Sequence, residues 1–370
     1  MKILHVCESI IGGTGSYLAE LIPHQVRKYG AENVALLIPD SQMDYLETSI
    51  SNVSPVIINF ARPRRLAGAF HLIGAYRQAL FTFRPDVVHA HSSIAGLVVR
   101  SLRTAGMAKI AFCPHGWSVD MKSGPAMRLF AQVSERVLAL FSDETIVISR
   151  HEFDRGRQLG VGESRLHLIP NGIATEPPDV EPAEWNDKRL KVLYAGRLDR
   201  QKGVDILLKA VVGLEDKISV RLAGDVAVGS NFLQDEMPSC VEKLGWLDRK
   251  DVIAQMKSCD VLVMPSRWEG FGLVAVEAMR LAKPVAASAV GGLREVIGNG
   301  DCGFLFPPED DRALHEVLAA LDKEKLRAMG ERAYQRFLSA YTSDRMVREI
   351  DGVYVHMIGT VQPSTERSAV

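Results

Sequence analysis

Short apolar runs alternate with helix-length amphipathic stretches along this 370-residue chain, and that alternation narrows the possible folds more than any other feature. Strand-like runs fall at Lys2–Cys7, Val34–Ile38, Pro55–Asn59, Asp86–His89, Lys109–Cys113, Thr145–Ile148 and Leu166–Ile169. Helical patterns lie between them, near 14–28, 66–82, 93–105, 125–141 and 150–159. Such alternation implies βαβ units and a parallel, doubly wound α/β sheet. The acidic, proline-rich stretch Thr175–Glu184 has no period and reads as a linker. The alternation then restarts, with strands at 190–195, 218–223, 261–264, 284–287 and 303–306. Its helices fall near 204–213, 248–257, 271–281, 309–320 and 323–338. The expected organisation is one domain over 1–174, a linker over 175–188 and a second α/β domain over 189–342. The polar tail 359–370 is expected to be disordered.

Bulk properties exclude several classes. The length suits two domains that each bury a core. A net charge of -1 gives no global attraction to nucleic acid. No apolar run reaches the roughly 18 residues of a membrane span. The N-terminus starts directly as a strand, without a signal-peptide pattern. The five cysteines are scattered, and no pair has metal-ligand spacing, which favours buried thiols in a reducing compartment. A cytoplasmic protein is expected.

In doubly wound sheets, ligands sit beyond the C-terminal ends of the strands, so residues there carry the functional reading. Pro265-Ser266-Arg267-Trp268-Glu269-Gly270-Phe271-Gly272-Leu273 follows the run Val261–Met264 and leads into a helical pattern holding Glu277. Strand, glycine-rich loop and helix start place backbone amides where an anion can bind. Carboxylates on either side suit a ligand with hydroxyls at both ends and charge in the middle, the layout of a nucleotide sugar. Helix capping by Glu269 and a solvated face for Glu277 is the plainer alternative. Arg197 lies just past the 190–195 strand and Lys202 just before a helix; across a tight turn the pair can hold a diphosphate. Gly224 ends a strand, and Gly245 offers backbone to a flat base edge. In the first half, the Gly12-Gly13 turn lets backbone approach a ligand. His115 before Gly116 is placed to bond a substrate hydroxyl or to cap the strand end. His89 and His91 share a strand face, but no third ligand lies near them in sequence, so packing is preferred to a metal site.

Taken in order, Gly12-Gly13, His115-Gly116, Asn171-Gly172-Ile173, Gly196-Arg197-Leu198, Lys202-Gly203, Gly224, Gly245, Glu269-Gly270-Phe271-Gly272 and Glu277 resemble the retaining GT-B glycosyltransferases of family 4. The likeness continues through Gly291-Gly292-Leu293-Arg294-Glu295 to Gly303-Phe304-Leu305, and the Glu-x7-Glu spacing is its most specific part. The resemblance implies two Rossmann-like domains facing across a cleft. It also implies a last helix, about 343–358, that packs back on the first domain. By the same resemblance Arg197 and Lys202 bind the donor diphosphate, Glu277 holds the ribose, and Glu269 touches the transferred sugar. Amides at Gly270, Phe271, Gly272 and Leu273 cap sugar and phosphate. His115 reaches the sugar, and the Gly12-Gly13 loop approaches phosphate or acceptor. No metal or other cofactor is expected, since no Asp-x-Asp motif stands out and the cations do the charge work.

The implied partners are a nucleotide-sugar donor, a UDP-sugar in preference to GDP-mannose, and a growing polysaccharide or lipid-linked acceptor. The basic run Phe60-Ala61-Arg62-Pro63-Arg64-Arg65 and the helix after it suggest a peripheral contact with anionic membrane, against a plain solvated loop. Residues 1–170 hold 18 Lys+Arg against 14 Asp+Glu, a balance of +4, which agrees with that contact. A nucleotide-sugar epimerase and a non-catalytic nucleotide-sugar binder are the competing classes.

Overall fold

A computed structural model describes residues 1–50, 53–62, 67–104, 106, 108–120, 124–226, 237–298 and 300–359. The chain forms two compact units, Met1–Pro170 with the segment beginning at Ser343, and Asn171–Thr342. The first holds seven parallel strands: β1 (Ile3–Cys7), β2 (Val34–Pro39), β3 (Val56–Phe60), β4 (Val87–His91), β5 (Lys109–Cys113), β6 (Glu144–Val147) and β7 (Leu166–Leu168). Their order is β3-β2-β1-β4-β5-β6-β7, so the winding reverses between β1 and β4. The second unit holds β8 (Leu190–Ala195), β9 (Ile218–Ala223), β10 (Val241–Gly245), β11 (Val261–Met264), β12 (Val285–Ser288) and β13 (Gly303–Phe306). Their order, β10-β9-β8-β11-β12-β13, reverses between β8 and β11. Both are the doubly wound parallel sheets that the alternation implies.

Strand and helix ends differ from the sequence reading by a few residues, and three elements are additions. β10 was not anticipated because Glu242 and Lys243 face outward from an edge strand and break its apolar pattern. The helices Met43–Ile50 and Leu293–Ile297 are too short to show a clear period. The stretch read as a linker is held against the second unit. Ala183 N donates to Ala254 O at 3.0 Å, Lys257 Nζ donates to Val180 O at 2.7 Å, and Trp185 is buried. Residues 171–174, expected in the first domain, also belong to the second unit. The basic stretch 63–66 and the tail 360–370 lie outside the described residues.

The helix Ser343–Gly359 completes the first unit. Met346, Ile350, Tyr354 and Met357 are buried, Lys28 Nζ lies 2.8 Å from Asp351, and His24 Nε2 lies 2.9 Å from Asp344. No described helix is long and apolar enough to cross a membrane.

One helix is attached by an interior ion pair. In Pro125–Leu138, Glu135 is buried and accepts from Arg100 Nη2 at 2.9 Å. The Arg100 guanidinium lies 3.7 Å from the Phe112 ring centroid, and its Nε donates to Gly96 O. Removing one partner strands a buried charge. Glu135→Ala is therefore expected to lower unfolding free energy by about 3–5 kcal/mol, and the double change Arg100→Met with Glu135→Leu to recover most of it. Urea denaturation of the three proteins measures both, and a single-variant loss below about 1 kcal/mol would contradict this reading.

Candidate functional site

In the second unit two loops at the switch between β8 and β11 are joined residue by residue. The first, Gly196–Gly203, leaves β8 and enters the helix Val204–Ala210. The second leaves β11 and enters the helix Leu273–Arg280. Gly203 has φ +68°, and a Cβ there would stand 2.0 Å from Pro265 O, so only glycine lets the loops approach. Arg267 N donates to Gln201 O at 2.8 Å, and the Arg267 guanidinium forks onto both Asp205 oxygens at 2.8 and 2.7 Å. Gly291, φ +45°, backs the second loop: a Cβ would lie 1.9 Å from Glu269 O.

This joinery brings the expected residues together. Lys202 Nζ lies 2.5 Å from Glu269 Oε2, both side chains mostly covered. Arg197 is different: its side chain is 57% exposed, and Nη2 lies 2.9 Å from Gln201 Oε1 and 3.1 Å from Asp199 Oδ2. Tyr194 Oη donates to Arg197 O at 2.7 Å and fixes the turn. Glu277 lies one turn into the Leu273–Arg280 helix, 17% exposed, with Arg249 Nη2 at 3.6 Å. Burial raises its carboxyl above the usual range, and Arg249 opposes that shift. Gly272 has φ +96° at the helix start, and the first-turn amides of Leu273 and Val274 have no backbone acceptor among the described residues. Phe271 turns its ring inward against Tyr341, leaving only its backbone for a ligand.

The remaining glycines separate. Gly224 is required by packing, since a Cβ would stand 1.9 Å from Gly196 O. Gly245, φ +74°, has open space where a side chain would be, and its neighbour Trp246 is 75% exposed.

The first unit carries a buried polar face on its central strands. β1 pairs with β4, bringing His5 opposite His89 and Cys7 opposite His91, and β4 pairs with β5 so that His91 is opposite Cys113. His5 Nε2 lies 2.7 Å from Gln25 Oε1, and His5 Nδ1 lies 3.0 Å from His91 Nε2. His91 Nδ1 in turn lies 3.0 Å from His115 Nε2. On a side branch, His89 Nδ1 lies 2.6 Å from Tyr354 Oη. Burial keeps these imidazoles neutral: His5 and His115 are lowered to about 4, and His89 and His91 are pushed well below the ordinary value.

His115 has the left-handed φ of 49°, uncommon outside glycine, with Gly116 at φ 106° after it. Trp117 Nε1 donates to Glu152 O at 2.9 Å and anchors the loop. The edge of Tyr17 packs on the His115 ring, centroids 4.8 Å apart. Gly12 and Gly13 lie at the neighbouring end of β1 with nothing within 4 Å of a built Cβ. Sequence reasoning missed His5, Gln25, Tyr17 and Tyr354. The available signal was a histidine inside the apolar run Ile3-Leu4-His5-Val6-Cys7, which parallel pairing sets beside the His89-Ala90-His91 strand.

Comparison with known proteins identifies the family. Residues 11–177 match the family described as Glycosyltransferase Family 4, and residues 176–336 match Glycosyl transferases group 1. An uncharacterised 41.2 kDa protein in the cps region of Klebsiella pneumoniae is 29% identical over 86% of this chain and 89% of its own length. A D-inositol 3-phosphate glycosyltransferase of Xylanimonas cellulosilytica is 30% identical over 68% of each chain. The Escherichia coli UDP-Gal:alpha-D-GlcNAc-diphosphoundecaprenol alpha-1,3-galactosyltransferase is 25% identical over 74% of this chain and 76% of its own. Among solved structures, Anabaena HepE in complex with UDP superposes with a TM-score of 0.78 at 21% identity, covering 96% of this chain and 100% of that one.

The neutral imidazoles couple stability to pH. A histidine whose pKa is lowered in the fold contributes stability that is complete above the unfolded value, about 6.5, and lost as pH falls toward the folded one. Wild type is therefore expected to lose about 2 kcal/mol of its advantage over His89→Gln between pH 6.5 and pH 5. Chemical denaturation of both proteins at the two pH values measures this, and a constant difference would mean that His89 takes up its proton in the fold.

Proposed function

The chain belongs to the family 4, group 1 glycosyltransferases, and from that premise we propose that it moves a sugar from a nucleotide-sugar donor to a growing polysaccharide or lipid-linked glycan, with retention at the anomeric carbon. The observation that carries the donor half is the pairing of Lys202 with Glu269 beside an exposed Arg197 and first-turn helix amides that have no backbone acceptor among the described residues. Departure of a nucleoside diphosphate builds negative charge on the outer phosphate. Arg197, the amides at Gly272 and Leu273, and Lys202 once released from Glu269 would stabilise it, so we assign the reaction no metal. Lys202 turns from Glu269 to the phosphate as the donor binds, and Glu269 is freed for the sugar hydroxyls. Glu277 accepts from the ribose diol. Trp246 and the open backbone at Gly245 offer a flat surface to the base. His115, in the first unit, accepts from a sugar hydroxyl. UDP-sugars are the preferred donors, in keeping with the UDP bound by HepE and the UDP-galactose in the Escherichia coli relative's name.

We place the acceptor at an anionic lipid surface. Three neighbouring helices of the first unit, Ala67–Phe83, Ser93–Ser101 and Pro125–Leu138, expose Phe70, Phe81, Leu97, Leu129, Phe130 and Val133 to solvent. Exposed Arg77, Arg128 and Arg136 lie among them, while their one carboxylate, Glu135, is buried against Arg100. Apolar side chains edged by cations, without exposed anions, complement an anionic bilayer interface.

Arg197→Ala and Lys202→Ala should each lower donor turnover by roughly 10²-fold or more, about 2.7 kcal/mol of transition-state stabilisation. Nucleoside diphosphate release from a panel of UDP-, GDP- and ADP-sugars reads this, and near-normal rates in both variants would remove the diphosphate assignment. For the surface, Phe130→Glu with Val133→Glu should abolish co-sedimentation with phosphatidylglycerol vesicles. Undiminished pelleting would sink the lipid reading.

A further inference from the structure

His5, His91 and His115 form a single file in the first unit, and a file of neutral imidazoles has a direction. Each neutral ring carries one N–H and one lone pair. Gln25 Oε1 can only accept, so His5 donates to it through Nε2 across 2.7 Å and presents a lone pair at Nδ1. His91 then donates through Nε2 across 3.0 Å and accepts at its own Nδ1. His115 completes the file by donating through Nε2, also across 3.0 Å. Three rings, three protons and three hydrogen bonds close the count only in this order while Gln25 Oε1 heads the file. The proton of His115 is thereby committed inward, and its Nδ1 is left as a lone pair.

We propose that Gln25, His5 and His91 are positioning residues that fix the tautomer of His115, so that its Nδ1 meets a substrate hydroxyl as an acceptor. The effect on turnover rests on His115 facing the sugar, as proposed above. The tautomer itself is a property of the resting protein. Several features serve the same end. The Tyr17 ring packs edge-on against His115 and restrains its rotation. The left-handed backbone at His115 turns the ring back toward His91. Burial of the members keeps each ring neutral, and a charged ring with two N–H groups would break the file. Gln25 stands two rings away from His115, so its influence on chemistry runs through proton placement and not through contact.

A rival occupant of the same space is a cation. One nitrogen each of His5, His89 and His91 lie within 4.8 Å of one another, a spacing that admits a metal ion. Such an ion would take the lone pairs that the file uses on His5 and His91.

Long-range ¹H–¹⁵N correlation spectra of histidine-labelled protein read the tautomer directly, with His115 identified by its disappearance in His115→Gln. The expected wild-type result is a protonated Nε2 and an unprotonated Nδ1. In Gln25→Met, His115 is expected to populate both tautomers, with kcat lowered ~10-fold and KM for the donor unchanged. A proton on Nδ1 in wild type, or a Gln25→Met spectrum in which His115 is unaltered, overturns the proposal. So does uptake of one equivalent of zinc ion with loss of the ring-to-ring pattern. Reading the wild-type spectrum needs only the conservative His115→Gln variant to fold, and Gln25→Met plays no part in it. If no nucleotide sugar is turned over, the transferase reading fails while the spectrum still decides this proposal.

Discussion

Parallel strands are covered on both faces, and in this chain that constraint decides where polarity can go. The central strands β1 and β4 are wholly buried, yet they carry His5, His89 and His91 on one face. Polar groups there cannot reach water, so they bond to one another, to Gln25 and to Tyr354. The file runs outward to His115, just past the end of β5. The second unit meets the same constraint differently. Strand β11 is wholly apolar, and the Lys202–Glu269 pair stands in the loops beyond the strand ends.

Much of this arrangement was legible in the sequence because its carriers are local. Short apolar runs and intervening helices give the sheets, and glycines mark the loops where backbone comes close to backbone. Arg197, Lys202, Glu269 and Glu277 could be placed at strand ends from their spacing along the chain. What could not be read is register. Nothing local says that His5 lies beside His89, because 84 residues separate them and only parallel pairing brings them together. Gln25 and Tyr354 are invisible for the same reason, one on a helix and the other near the chain's far end. The resting partner of Lys202 was equally hidden: the chain suggested two separate roles for Lys202 and Glu269, and the structure pairs them.

That pairing changes how the second site is understood. In the donor site proposed above, this preformed ion pair is a placeholder. It keeps a mostly covered lysine compensated when no anion is bound, and its geometry depends on Gly203 and Gly291 allowing two loops to touch. Arg197 has no such cover and remains open to solvent. The two cations therefore differ in kind, one held in reserve inside the loops and one standing at the entrance.

The last helix places a condition on how the chain is made. Tyr354 and Asp351 close the polar face and the flank of the first unit, yet they are synthesised only after the whole of the second unit. When Pro170 leaves the ribosome, the first sheet can form, but its histidine face still lacks Tyr354. The second unit can be finished before Ser343 is even made. The unit whose first part is translated earlier is therefore the one completed after the other, and a chain interrupted before Ser343 would leave His89 without its Tyr354 partner.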